Sequence, residues 1–196
     1  HAVVDAAGGF CFLNNAAVAA EAALGVGADR VTVFDWDVHH GNGTQDLFYD
    51  RADVFYASVH ETGLYPGTGG MDETGEGAGE GWTRNLSLSA GADDADYLAA
   101  VDRVIAPLVR RHGSDLLLVS AGFDAHRNDP ISRMRLSTEG FAVLASRMRE
   151  AADAAGAGLG FVLEGGYGLE TLSEGVAAVH ETFDGRTPVV PDGDPD

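Results

Sequence analysis

Asp37 and His39 are separated by one residue, directly after the β-rich segment VTVFDW. In an extended segment, residues two apart point to the same side, so one metal ion could contact both side chains. Asp124 follows another apolar segment and would complete an Asp-His-Asp set. Three protein ligands with a water in the fourth position form a catalytic zinc site, whereas structural zinc sites have four protein ligands. The two carboxylates also leave Fe²⁺ and Mn²⁺ open as candidate metals.

An Asp-x-His pair alone is more often a hydrogen-bonded strand end than a metal site, so the other strand ends matter. His60 ends a second apolar segment, and Tyr167 follows a third one in the string EGGY. The predicted helices, in contrast, carry mostly Ala, Leu, Val and charged residues. This sorting of residue types favours a functional site at the strand ends.

Strand-like and helix-like segments alternate along the chain, and these elements must position the candidate residues. The predicted strands are Val31–Trp36, Val54–Val59, Asn85–Leu88, Leu116–Ser120 and Gly160–Leu163. Predicted helices begin near Asn14, Asp93, Ser137 and Leu169, with a kink expected at Pro107, and residues 63–81 form a Gly-rich loop. The alternation predicts an α/β fold of three layers, a parallel sheet sandwiched between helices. In such folds ligands bind beyond the carboxyl ends of the strands.

The composition excludes several classes of protein. The 196 residues include 31 acidic and 12 basic residues, a formal net charge of −19, and every basic residue is Arg. Nucleic-acid binders display basic patches, so we predict no nucleic-acid partner. The acidity has two explanations that stay open, an acidic face for a cationic substrate and a general adaptation to high salt.

The distribution of apolar residues and cysteine points to a single globular domain inside the cell. No apolar run approaches the roughly 20 residues of a membrane span, so no membrane partner is predicted. The single Cys excludes a disulfide framework. Since we recognise no secretory signal, we expect a cytoplasmic location. The sequence does not indicate an oligomeric state.

Longer motifs carry a resemblance to a known family. The strings GFCFLNNAAVAA, DWDVHHGNGTQDLFY, SAGFDAHRNDP and LEGGY occur in this order along the chain. Together they resemble the zinc-dependent deacetylases of the histone deacetylase superfamily, which includes acetylpolyamine amidohydrolases and acetoin-utilisation proteins. The resemblance implies an arginase/deacetylase fold, with residues 1–183 as a catalytic domain lacking its N-terminal segment and residues 184–196 as a polar tail.

The resemblance also implies roles for individual residues. The zinc ligands would be Asp37, His39 and Asp124, and Tyr167 would hydrogen-bond the substrate carbonyl. Phe10 and Tyr65 would form opposite walls of the tunnel for the acyl-lysine side chain, and the backbone carbonyl of Gly9 would hold the substrate amide. A further set would form a site for a monovalent cation such as K⁺: Asp35, Asp37, His39, Ser58 and Val59.

His1 marks a departure from the family pattern. Members carry a Gly-His-His-Ala string, and the spacing from His1 to Phe10 makes His1 the second histidine of that pair. We therefore expect an N-terminally truncated sequence. His1 would act as the general base and acid, Asn42 would hydrogen-bond His1, and Asp35 would lack the first histidine as its partner.

The resemblance implies hydrolysis of an acetyl amide on a protein lysine, a peptide lysine or a polyamine. Two alternatives remain open at this point. The truncated chain could be a catalytically inactive remnant or a metal-dependent binding module of the same fold. An arginase-like ureohydrolase would need two manganese ions and additional Asp-rich strings that the sequence lacks.

Overall fold

The computed structural model describes residues 1–191 of the chain. Five parallel strands form one sheet in the order β3-β2-β1-β4-β5, which places β1 at its centre. The strands are β1 (Val31–Asp35), β2 (Val54–Glu61), β3 (Thr83–Leu88), β4 (Leu116–Ala121) and β5 (Gly158–Leu163). All five predicted strands are present, some of them one to two residues longer or shorter than predicted.

Helices connect the strands and cover both faces of the sheet. They are α1 (Asn15–Gly25), α2 (Asn42–Phe48), α3 (Asp94–Ala100), α4 (Ala106–His112), α5 (Thr138–Ala155) and α6 (Leu169–Phe183). Side chains alternate along β1, so Val31 and Val33 pack with α1 while Phe34 packs on the opposite face, where α5 lies. The predicted three-layer arrangement is therefore present.

Side-chain caps fix where several helices begin. The Asn14 side chain accepts the Ala17 N–H at 2.9 Å, and the Ser137 hydroxyl accepts the Gly140 N–H at 2.9 Å. Asp93 and Asp96 form a reciprocal capping box at the start of α3. Each cap satisfies backbone N–H groups that have no partner within the helix.

Two local features differ from the sequence prediction. The helix α2 was not predicted, because its seven residues show no apolar periodicity. The kink expected at Pro107 is instead a wide π-helical turn at Val101–Ile105. Pro107 then stands in the first turn of α4, where its missing N–H is not needed.

The last helix ends at Phe183, where the sequence predicts the start of a polar tail. Residues 192–196 of that tail lie outside the described residues. The division of the chain at this point stays a prediction. Within the described part of the chain, no helix is long and apolar enough to cross a membrane.

Candidate metal centre

The candidate site lies where the carboxyl ends of three neighbouring strands meet. Asp37 and His39 follow β1, Asp124 follows β4, and Tyr167 follows β5. Because β4 lies between β1 and β5, these segments come together at one edge of the sheet. The edge is the one at which parallel α/β sheets bind ligands.

The structure brings the predicted Asp-His-Asp set together. One ligand atom from each of Asp37, His39 and Asp124 can be chosen so that all three lie within 4.8 Å of one another. Nδ1 of His39 is 3.0 Å from Oδ1 of Asp37 and 3.2 Å from Oδ2 of Asp124. This spacing suits three ligands around a single ion.

The carboxylates are held by backbone groups, which leaves one oxygen for an ion. Oδ1 of Asp124 accepts the Val38 N–H at 2.9 Å, and Oδ2 of Asp37 accepts the Gly165 N–H at 2.9 Å. Oδ2 of Asp124 is buried and, apart from Nδ1 of His39 at 3.2 Å, has no polar partner within the described residues. A buried carboxylate oxygen with so few partners is costly, and a bound cation would remove that cost.

Gly165 shows how tightly the backbone wraps the two carboxylates. A Cβ atom at this position would collide with Oδ2 of both Asp37 and Asp124. The next residue, Gly166, has a φ of 137°, a backbone conformation that L side chains rarely adopt. The two glycines let the chain turn over the carboxylates and present Tyr167 to the site.

The electrostatics of the set favour a positive charge at its centre. Burial lowers the pKa of His39, but hydrogen bonds and charge from Asp124 and Asp37 outweigh burial and raise it to about 10. Burial and the charge of Asp37 raise the pKa of Asp124. Two carboxylates crowded around one imidazole therefore hold a proton unless a metal ion replaces it. The donor set and its geometry fit a divalent metal ion.

The predicted monovalent-cation residues lie together beneath this set. Asp35 pairs with Ser58 in the β1–β2 register, and Val59 is fully buried beside them. The side-chain oxygens already have partners: Asp35 accepts the Asp37 N–H at 3.1 Å, and the Ser58 hydroxyl is 2.9 Å from a ring nitrogen of His60. Burial, with the charges of Asp37 and Glu164, raises the pKa of Asp35. A K⁺ site here stays a prediction.

His1 and Asn42 are in contact, as the resemblance implies. Nδ1 of His1 is 2.9 Å from Oδ1 of Asn42, while the Asn42 amide donates to the His1 carbonyl at 3.4 Å. The amide orientation makes Oδ1 an acceptor, so Nδ1 carries the proton and Nε2 has a free lone pair. The His1 ring lies 6.0 Å from the His39 ring, between centroids.

The predicted substrate-facing residues line a pocket beside the metal centre. The rings of Phe10 and Tyr167 are 6.2 Å apart, and the Gly9 N–H donates to the Tyr65 hydroxyl at 3.2 Å. The pocket has a volume of about 350 Å³ and is lined by His1, Gly9, Phe10, His39, Tyr65, Ile131 and Tyr167. Aromatic and aliphatic groups thus surround the approach to His39.

A second cavity extends from the same residues into the interior. Its volume is about 560 Å³, and it reaches Asp35, Ser120 and Glu164. Burial, with the charge of Asp37, raises the pKa of Glu164. The sequence reasoning missed Glu164 and Ile131 as lining residues. Glu164 lies in the string LEGGY, and Ile131 comes directly after the string SAGFDAHRNDP. The motifs therefore indicated the region of each residue but not its contacts.

Comparisons with known proteins agree with this geometry. The family model described as the histone deacetylase domain matches residues 1–183. Histone deacetylase 10, chloroplastic, of Oryza sativa subsp. japonica is 48% identical over 188 residues, covering 95% of this chain and 42% of the relative. Acetylpolyamine amidohydrolase 2 of Pseudomonas aeruginosa is 44% identical over 188 residues, covering 94% of this chain and 53% of the relative.

The solved structures confirm the predicted fold. The crystal structure of acetylpolyamine aminohydrolase from Burkholderia pseudomallei superposes with a TM-score of 0.87 at 41% identity, covering 94% of this chain and 53% of that chain. The chain thus spans about half the length of the relatives it matches. The fold and the family prediction are confirmed, whereas the roles of the individual site residues stay predictions.

Proposed function

The chain belongs to the histone deacetylase family, and on this premise we propose that it acts as a metal-dependent deacetylase. The substrate would be the acetyl amide of a lysine side chain or of a polyamine. The observation that carries the proposal is the buried Oδ2 of Asp124, which within the described residues faces only Nδ1 of His39, while His39 lines a pocket together with Tyr167. Zinc is the metal we propose, with Fe²⁺ as the alternative. A cytoplasmic location stays a prediction.

The ligand set gives the site its chemistry. A divalent ion bound by Asp37, His39 and Asp124 would polarise the acetyl carbonyl and lower the pKa of a bound water toward about 7. The N–H groups of Val38 and Gly165 hold the two carboxylates in place for this task.

The proton transfers fall to His1. Its Nε2 lone pair faces away from the Asn42 contact and can accept a proton from the attacking water. The same nitrogen can then protonate the leaving amine, so that a neutral amine departs from the acetate. Asn42 keeps the ring in the tautomer that both transfers need.

Tyr167 would stabilise the developing negative charge on the carbonyl oxygen by donating its hydroxyl proton in a hydrogen bond. Burial raises the pKa of this hydroxyl to about 12, helped by the charges of Asp124 and Asp37, so it stays a donor at neutral pH. Removing one such donor from an active site costs about 10²–10³ in rate. The walls formed by Phe10 and Tyr65 would hold the aliphatic chain of the substrate amine.

The test compares metal content and turnover in matched variants. Wild-type protein with Zn²⁺ should deacetylate an acetyl-lysine peptide or an acetylated diamine. Asp37→Ala should lose both the metal and the turnover, whereas Tyr167→Phe should keep the metal and lose turnover by about 10²–10³-fold. Asp153→Ala, an exposed aspartate in the last turn of α5, is the control and should keep both.

Three outcomes would contradict the proposal. Full turnover in Asp37→Ala would exclude the proposed ligand set. One bound metal without turnover on either substrate would favour an inactive binding module. Two manganese ions per chain would favour the ureohydrolase alternative.

A further inference from the structure

Asp129 is a buried carboxylate that sequence reasoning did not place in the site. It lies in the segment that follows β4, five residues after Asp124, and is 6% exposed. A carboxylate is rarely buried to this degree without several hydrogen bonds. Its contacts therefore indicate what the burial achieves.

The carboxylate of Asp129 accepts hydrogen bonds from three backbone N–H groups. Oδ2 accepts from Tyr167 at 2.8 Å and from Gly168 at 3.3 Å. Oδ1 accepts from Ile131 at 3.1 Å. The side chain of Asp129 thus connects two separate segments, the turn after β5 and the loop after β4.

Two of these three residues line the pocket beside the candidate metal centre. Tyr167 and Ile131 are among the seven lining residues, and each exposes about two-fifths of its surface there. The turn before Tyr167 contains two glycines, which give the backbone more freedom than other residues would. The hydrogen bond from the Tyr167 N–H to Asp129 restricts that freedom.

We propose, on the premise of the deacetylase function above, that Asp129 is a positioning residue that fixes Tyr167 against the Ile131 wall of the pocket. Asp129 is not one of the three proposed metal ligands and does not line the pocket. It acts by holding the Tyr167 backbone so that the hydroxyl meets the substrate carbonyl, because an error of about 1 Å in such a group can cost 10²-fold in rate.

A purely structural role is the competing explanation. Gly168 is the N-cap of α6, and a carboxylate near a helix N-terminus stabilises the helix whatever the pocket does. The two roles differ in one respect. A structural role affects the enzyme with or without the Tyr167 hydroxyl, whereas a positioning role disappears when that hydroxyl is removed.

Asp129→Asn is the sharpest variant because it keeps the shape of the side chain. Asparagine has one acceptor oxygen, so its NH₂ group must face an N–H donor on one side. One of the two ties is lost. We expect kcat to fall about ten- to hundredfold with little change in KM. In Asp129→Glu, which keeps both acceptor oxygens, kcat should fall less than in Asp129→Asn.

The double-mutant cycle with Tyr167→Phe decides between the two roles. If Asp129 acts through the hydroxyl, Asp129→Asn should have almost no further effect in the Tyr167→Phe background. Equal losses in both backgrounds would overturn the proposal. Asp115 lies directly before β4, at the edge of the sheet opposite the pocket, and accepts the N–H groups of Asp29 at 2.8 Å and Arg30 at 3.0 Å. Asp115→Asn is therefore the matched control. It should leave kcat unchanged.

A second readout does not need activity. The chain contains 5 Tyr, so fluorotyrosine labelling should give resonances from which Tyr167→Phe identifies that of Tyr167. Asp129→Asn should shift or broaden this resonance and leave the others unchanged, which also shows that the variant is folded. An unmoved Tyr167 resonance would overturn the positioning role. An inactive wild type with a moved resonance would contradict the deacetylase function alone.

Discussion

Two clusters of polar side chains lie side by side in this molecule, and the imidazoles in them have opposite surroundings. His39 has two carboxylates within 3.2 Å of one ring nitrogen. His40 and His60, which we call the histidine pair, have only hydroxyl, amide and carbonyl partners on their ring nitrogens: Thr68, Gln45, Ser58 and Gly69. The neighbours, and not the residue type, determine what each imidazole can do.

The pKa values follow the same division. That of His39 is raised to about 10 by Asp124 and Asp37, against the effect of burial. Burial, followed by the proximity of His40, lowers the pKa of His60 to about 4. The first cluster therefore favours a bound cation, whereas the histidine pair stays neutral and contributes to structure. Adjacent His39 and His40 differ because each faces a different set of neighbours.

Metal binding should stabilise the first cluster only. A zinc concentration of 100 times Kd should raise the free energy of unfolding by about 2.7 kcal/mol, because the folded state alone presents the three ligands. A thermal-shift titration with Zn²⁺ and with a chelator measures this effect. Asp124→Asn should abolish the shift, and His60→Gln should retain it. A shift that survives in Asp124→Asn would place the metal elsewhere.

Breaking the histidine pair should cost stability and leave catalysis nearly intact. Oε1 of Gln45 is 3.0 Å from Nε2 of His40 and accepts from Asn85 at 2.7 Å. Gln45→Ala leaves Nε2 of His40 without a partner and the Asn85 amide with only the Gly70 carbonyl, so we expect a loss of about 1–3 kcal/mol in denaturant unfolding.

The control for this variant is Glu150→Ala, which removes an exposed ion pair with Arg147 and should change stability by less than about 1 kcal/mol. A drop in turnover as large as that of Tyr167→Phe would mean that the pair belongs to the catalytic site.

The pair also predicts how stability depends on pH. The pKa of His60 is about 4 in the folded state and 6.5 in the unfolded chain, so the unfolded chain binds the proton first. The contribution of His60 to stability is complete above about pH 6.5 and falls by at most about 1.4 kcal/mol per pH unit between pH 6.5 and 4. Denaturant unfolding at pH 7.5, 6.5 and 5.5 measures the slope.

His60→Gln should flatten this slope relative to wild type. The exposed His180 on α6 provides the control, since His180→Gln removes a histidine without a buried ring. A slope that is the same in all three proteins would refute the assignment to His60.

The sequence predicts that the three proposed ligand residues come together, because parallel strands end at the same edge of a sheet. The extended spacing of Asp37 and His39 and the position of Asp124 after β4 suffice to bring them together. The helix α2 was missed because Gly41, Asn42 and Gly43 show no apolar pattern, and its buried face is defined by packing on β2 and α1.

Asp129 illustrates what periodicity cannot predict. Its proposed role depends on three backbone amides, and one of them belongs to Tyr167, 38 positions away in sequence. Backbone donors have no signature in residue types. The wide turn at Val101–Ile105 is a similar case, because Pro107 signals an irregularity without fixing where the helix absorbs it.

Phe10 has an energetic consequence for ligand selection. It is the one non-glycine residue with positive φ among residues 1–191, at 63°, and its ring is 90% exposed. A left-handed backbone costs roughly 1–2 kcal/mol for such a residue, and an apolar ring facing water gains nothing in return. Packing a methylene chain against this ring would remove apolar surface from water, which is favourable. A slender aliphatic amine of the kind proposed above would therefore gain affinity by covering this exposed ring.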